Sequence, residues 1–234
     1  MSGFFGTESV PLDLFGPVHL VTMGVLVAIG VCLIRAGMAG DEDRRRRLRF
    51  AMGAAILLLL GLRHMWKASV GIWTLQNDLP LHLCAAMAWM TVYGLWTRHL
   101  WTLRLMYFFG VAGAVQAVLT PDASHGVLHF AFYETMASHG IAVIAGVWAV
   151  TVEDYRPKAR DPWLAFGLLN VYAIAVYPIN RVLGSNYLYL IDKPPTASIL
   201  DVFPNWPWYI PLLEPVAIGL FLALRLPFRN PAAD

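Results

Sequence analysis

The chain has 234 residues, of which 58% are hydrophobic and 14% charged, with a formal net charge of +2 and a mean hydropathy of +0.58. Soluble domains carry about 25% charged residues, so this composition excludes a soluble enzyme or binding module and points to a bilayer as the solvent. Apolar runs occupy nearly the whole of residues 1–234, which read as one integral membrane domain.

The N-terminal "MSGFFGTESVPLDLFG" lacks the basic n-region of a signal peptide, so the first apolar segment is expected to be retained. That segment, about 15–35, contains His19. A dense run, "DEDRRRRLR" (41–49), follows as a basic connection, which reads as a topogenic cytoplasmic loop or as a surface for lipid headgroups or a partner. The second segment, 50–72, carries Arg63 and His64. The third, 79–97, opens with "LPLHLC", which brings in His82 and Cys84. The fourth, 104–120, holds Gln116 and the small residues Gly110, Gly113 and Ala117, which suit close helix packing. The fifth, 133–152, contains His139, the sixth, 163–183, contains Asn180, and the seventh, 207–224, contains Glu214. Each approaches the roughly 20 residues that cross a bilayer as a helix, and the runs are continuous rather than alternating, which excludes a barrel. The expected fold is therefore all-α, a polytopic bundle of seven transmembrane helices.

Basic residues set the orientation. With the N-terminus outside, 13 of the 17 lysines and arginines fall on the inner side, and every inner connection is basic. The expected topology has the N-terminus out and the C-terminus in, in a cell membrane. Arginine supplies 14 of the 17 basic residues, a bias that favours a bacterial inner membrane. The long outer connection, 184–206, contains "NYLYLIDKPPTASILDVFPNWPWY" from residue 186 onward into the last segment, and its aromatics suit a loop in the interface.

Ionisable residues within spans are expensive and mark function by default. Counted along each helix from the inner charges, Cys84 lies 14 residues above Arg98, His139 lies 14 above Glu153, Arg63 lies 14 above Arg49, and Glu214 lies 11 above Arg225. His19, His64, His82, Gln116 and Asn180 fall in similar layers. Polar groups facing lipid are costly, so this stratum reads as a polar pocket opening toward the outer leaflet. Arg63 reads either as an ion pair with Glu214 or as an anchor for a lipid phosphate or carboxylate. His19 and His64 read as rings satisfied by neighbouring carbonyls or as pocket walls, and Gln116 and Asn180 as interhelical hydrogen-bond residues. Cys84 is either a small apolar residue or a thiol that His139, at the same depth, could activate. His82 stands about 200° around the helix from Cys84, too far to be its base. Cys32 and Cys84 lie near opposite ends of their helices, which excludes a disulfide between them. "HGVLH" spaces His125 and His129 by four, with Asp122 one turn earlier, but metal ligation is the weaker reading and neither metal nor cofactor is expected. No nucleotide loop is present and the arginine run reads as topogenic, so nucleic acid is not an expected partner; membrane phospholipid or lysophospholipid is.

Five landmarks, "LPLHLC" (79–84), "GVAGAVQAVLTPD" (110–122), "MASHG" (136–140), "NYLYLIDKPP" (186–195) and "PWYIPLLEP" (207–215), together resemble the YwaF-like bacterial integral membrane proteins and, through them, the transmembrane protein 164 family of animals. The resemblance implies a membrane-embedded phospholipid acyltransferase or hydrolase with a cysteine nucleophile and a histidine. The family histidine falls on His139. The family pattern Pro-Cys-His falls on Pro80-Leu81-His82, so the nucleophile position holds Leu81, and Cys84 stands three residues further on. Direct activation of water or a hydroxyl by His139 is the chemistry that needs no cysteine. The alternatives to an enzyme are a non-catalytic lipid- or solute-binding membrane protein, a transporter, or a scaffold whose polar layer specifies packing.

Overall fold

In the computed structural model, residues 3–8, 11–121, 125–194 and 199–229 are described. Seven α-helices follow in order: α1 (Pro17–Met38), α2 (Glu42–Ser69), α3 (Leu83–Thr97), α4 (Leu100–Leu119), α5 (Phe130–Thr151), α6 (Asp161–Leu183) and α7 (Tyr209–Arg225), with short 3-10 turns at Tyr187–Tyr189, Ile199–Val202 and Leu226–Phe228. The described residues are otherwise turns and loops. α1, α2, α4, α5, α6 and the stretch Tyr209–Phe228, α7 with the turn that continues it, are long and apolar enough to cross a membrane; α3 is shorter. The protein is thus a multi-pass, all-helical membrane protein.

Local chemistry explains most of the boundaries. Pro17 starts α1 with its fixed φ and its missing donor in the place where no helical partner exists. Asp41 caps α2 by accepting from the Arg44 N–H at 2.8 Å, and Glu42 and Asp43 complement the positive end of that helix. The arginine run, expected as a connection, is therefore the first turns of α2. Gly184, at φ 63°, closes α6 in the left-handed conformation.

The third segment is shorter than its hydropathy predicts. Leu79–His82 is a turn, and helix begins only at Leu83. Pro80 biases Leu79 away from helical geometry. The polar groups of Leu79 and Leu81 are bonded elsewhere, the Leu79 N–H to the Tyr187 hydroxyl at 2.9 Å and the Leu81 carbonyl from the Tyr172 hydroxyl at 3.0 Å. The remaining 15 residues of α3 span about 22 Å.

The chain forms two compact units, Met1–Trp73 with Met87–Tyr155, and Thr74–Ala86 with Arg156–Asp234. In the first, α4 is the most buried element and packs most closely on α5. Glycine permits this approach: a Cβ at Gly110 would lie 2.8 Å from the Ala142 carbonyl oxygen, and one at Gly146 would lie 2.7 Å from that of Met106. Gly113, also expected at a tight contact, has open space beside it. One end of this unit is tied by charge. Glu153 accepts from Arg49 Nη1 at 2.9 Å, from Arg98 Nε at 2.5 Å and from Trp148 Nε1 at 2.8 Å, while Arg49 Nη2 also reaches Glu42 at 2.8 Å. In the second unit, α6 packs on α7, and Val176, Tyr187 and Leu190 form a core with Tyr172 and Ile210 against it.

Candidate functional site

The histidines are sorted by what each ring nitrogen bonds, because a carbonyl can only accept and a backbone N–H can only donate. His19, fully buried, donates from Nε2 to the Val118 carbonyl at 2.9 Å and accepts at Nδ1 from the Phe15 N–H at 3.1 Å. His129 donates from Nε2 to the Gly6 carbonyl at 2.9 Å and accepts at Nδ1 from the Ala131 N–H at 3.1 Å, capping α5. Both rings are held at both nitrogens and serve packing. His125 lies against His129 with ring centroids 4.2 Å apart, and Asp122, the third member of that sequence cluster, lies outside the described residues. His64 accepts at Nδ1 from Trp73 Nε1 at 3.0 Å, and His82 accepts at Nδ1 from the Leu188 N–H at 3.4 Å. In their neutral forms these two rings carry the proton on Nε2.

His139 is the reverse case. Its Nδ1 lies 2.8 Å from the Thr135 carbonyl one turn earlier, so Nδ1 bears the proton and the neutral ring carries its basic lone pair on Nε2. The Ser138 hydroxyl stands 3.4 Å from the same Nδ1. The ring is half-buried on α5. Among the five rings whose bonds are given above, this is the one whose Nδ1 donates to a carbonyl.

Arg63 is paired, but not with Glu214. Its Nη1 donates to Glu134 Oε2 at 2.7 Å. The Glu134 side chain is 2% exposed and that of Arg63 40%, so a buried carboxylate holds a guanidinium of which much remains uncovered. Glu214 instead accepts from Asn170 Nδ2 at 2.9 Å. Glu134 was not among the residues singled out from the sequence. The signal was there: it is the one acidic residue in "FAFYETMASHGIAVIAGVWAVT", and a lone carboxylate in an apolar span needs a partner.

The expected interhelical amides bond locally. Gln116 is exposed and donates to the Ala112 carbonyl of its own helix at 3.1 Å. Asn180, buried, closes the turn after α6: Oδ1 accepts from the Tyr187 N–H and the Ser185 hydroxyl, both at 2.8 Å, and Nδ2 donates to the Tyr187 carbonyl at 2.8 Å. The Tyr187 hydroxyl then donates to the Leu75 carbonyl at 2.6 Å, and burial pushes its pKa above the ordinary tyrosine value, keeping it a donor. His82 packs its ring against Tyr187 and Tyr189 at 5.0 and 5.3 Å, beside a backbone that is left-handed at Leu188 and Tyr189. The "NYLYLID" stretch thus folds around the "LPLHLC" turn.

Cys84 is exposed, which answers the reading of it as a buried apolar residue, and neither cysteine is in a disulfide. Cys84 belongs to the second unit and His139 to the first. Among the described residues no group of three or more histidine, cysteine or carboxylate side chains is arranged to hold a metal ion.

No curated protein and no solved structure matches the chain. The family model described as the TMEM164 family matches residues 14–225, which include α1 to α7, His139, the Arg63–Glu134 pair and the turn at His82. The chain belongs to the TMEM164 family.

Proposed function

We propose that the protein is a membrane-embedded enzyme acting on lipid acyl esters, by acyl transfer or hydrolysis, with His139 as general base. The observation that carries this reading is the Nδ1–H bond of His139 to the Thr135 carbonyl, which leaves Nε2 as the basic nitrogen inside an apolar helix. His139 Nε2 takes the proton of a hydroxyl or water, and that oxygen attacks the acyl carbonyl carbon. The ester C–O bond breaks, and the proton passes from the imidazolium to the departing alcohol oxygen. Arg63, held by Glu134, serves as the anchor for the anionic part of the lipid. Glu134 lies five residues before His139, about 7.5 Å along α5, a separation that suits a lipid held by its headgroup with its ester deeper. The family resemblance supports the same class of chemistry.

The seven-span topology with the N-terminus outside also belongs to this reading. Support comes from the bonds of Arg98 and Arg49 to Glu153: the end of α3, the start of α2 and the end of α5 meet, so the chain that leaves this end along α2 returns to it by Arg98, and the short α3 counts as a crossing. The arginines then face a bacterial cytoplasm.

The test uses the full chain in vesicles containing a phospholipid with an isotope-labelled acyl chain and a lysophospholipid acceptor, read by mass spectrometry. Labelled product is expected, with a loss of about a hundredfold or more in His139→Ala. Turnover that survives in His139→Ala overturns the proposal. Cys84→Ala separates the two routes: lost activity points to a covalent acyl-thioester, retained activity to direct attack.

A further inference from the structure

The five arginines of 44–49 do not share one role. Arg45 donates from Nε to the Gly37 carbonyl at 3.0 Å, and Arg49 is buried in its bonds to Glu42 and Glu153. These two fasten α2 to the rest of its unit. Arg44, Arg46 and Arg47 are exposed. Arg46 and Arg47, with Asp43 and Phe50, line a groove of about 330 Å³. Phe50 is the aromatic residue of its lining: Arg46 lies over the Phe50 ring at 5.9 Å, and that ring stacks on Trp96, outside the lining, at 5.3 Å and 9°.

The same face continues along the helix without charge. Residues 47, 50, 54, 58, 61 and 65 are all exposed, and their spacings of three and four place them on one stripe. Below Arg47 that stripe reads Phe50, Ala54, Leu58, Gly61 and Met65, with Leu58 63% and Met65 69% exposed. A cationic groove with Phe50 at its edge, continued by an exposed apolar stripe, has the polarity of one lipid molecule: a headgroup above and an acyl chain below. Asp43 is the carboxylate in the groove and offsets one guanidinium, which leaves a net positive charge for one anion.

We propose that this groove is a specific site for a lipid with an anionic phosphate headgroup, in the leaflet at the arginine end of α2. It is separate from the His139 chemistry and does not depend on it. Arg46 and Arg47 bind the phosphate, Phe50 and Trp96 set the depth of the glycerol region, and the acyl chain follows α2.

The full chain in detergent is titrated with phosphatidylglycerol or phosphatidylcholine of identical acyl chains, and bound lipid is read by native mass spectrometry. Wild type is expected to retain one phosphatidylglycerol in preference to phosphatidylcholine. Arg46→Gln/Arg47→Gln is expected to lose that preference, at roughly fivefold per arginine. Arg47→Gln alone, which leaves the Arg46–Phe50 contact in place, is expected to lose about fivefold. Arg44→Gln/Arg160→Gln removes the same charge from exposed positions outside the groove and is expected to keep the preference. Equal loss in that control, or no preference in wild type, overturns the site. Displacement of the lipid by excess inorganic phosphate reassigns the groove to a free anion and overturns the lipid assignment.

Discussion

Arg63 on α2 and Glu134 on α5, 71 residues apart in sequence, meet at 2.7 Å with the carboxylate buried and the guanidinium partly open. This asymmetry makes the pair more than a fastening. Removing the arginine strands a buried charge, whereas removing the carboxylate strands a group that can reach toward the interface.

The two single substitutions are therefore unequal. Arg63→Gln is expected to destabilise by about 2–4 kcal/mol and Glu134→Gln by about 1–2 kcal/mol, because the surviving carboxylate is buried whereas the surviving guanidinium is partly uncovered and can extend its charge toward the interface. The double variant is expected to be more stable than Arg63→Gln alone. Thermal unfolding of the four proteins in one detergent measures this cycle, and additive losses would remove the pair from the account.

Glycines that look alike in sequence are expected to differ. Gly146→Ala places a methyl group 2.7 Å from the Met106 carbonyl oxygen and is expected to cost about 1–3 kcal/mol as α4 and α5 are pushed apart. Gly113→Ala meets open space and is expected to be neutral or to gain up to about 1 kcal/mol from helix propensity. Paired melting curves separate them.

Tyr187→Phe removes a hydroxyl that serves both the Leu75 carbonyl and the Leu79 N–H. A loss of about 1–3 kcal/mol is expected. Because burial raises the folded-state pKa of this phenol, the folded protein holds its proton longer than the unfolded chain. The stabilisation is thus complete at neutral pH and declines as pH rises above about 10, the ordinary tyrosine value. The Phe variant is expected to show a shallower alkaline decline than wild type in a pH series of unfolding.

Topology is open to direct labelling. In a background with Cys32→Ala and Cys84→Ala, a cysteine placed at Gly71 and one placed at Thr97 are expected to react with a membrane-impermeant thiol reagent from opposite sides. Reaction of both from one side would show that α3 does not cross.

The helices, their apolar character and the clustering of arginines at particular connections were legible in the sequence, because hydropathy, capping and proline placement act over a few neighbouring residues. The start of α2 shows where that legibility stops. Asp41 followed by Glu42 and Asp43 is a strong helix start, yet charge density made the run read as a connection; the Arg44 N–H bond to Asp41 decided for helix. Likewise "LPLHLC" reads as the start of a span, and only the distant hydroxyls of Tyr172 and Tyr187 explain why its first four residues stay a turn.

The layer of polar residues was a one-dimensional deduction from depth, and depth does not fix how a helix is turned about its axis. Depth paired Arg63 with Glu214, and the packing of α2 on α5 gave it Glu134, five residues before His139 on the same helix. His19 and His139 are the same residue type in similar spans. Val118 and Phe15 close both nitrogens of one ring, whereas Thr135 takes the Nδ1 proton of the other. By itself the sequence determined that these groups lie on long apolar helices, because hydropathy is a property of the segment that carries them. Which groups meet across the bundle, Arg63 with Glu134 and His19 with Val118, was decided only by the tertiary structure, because those bonds depend on the rotation and approach of helices far apart in the chain.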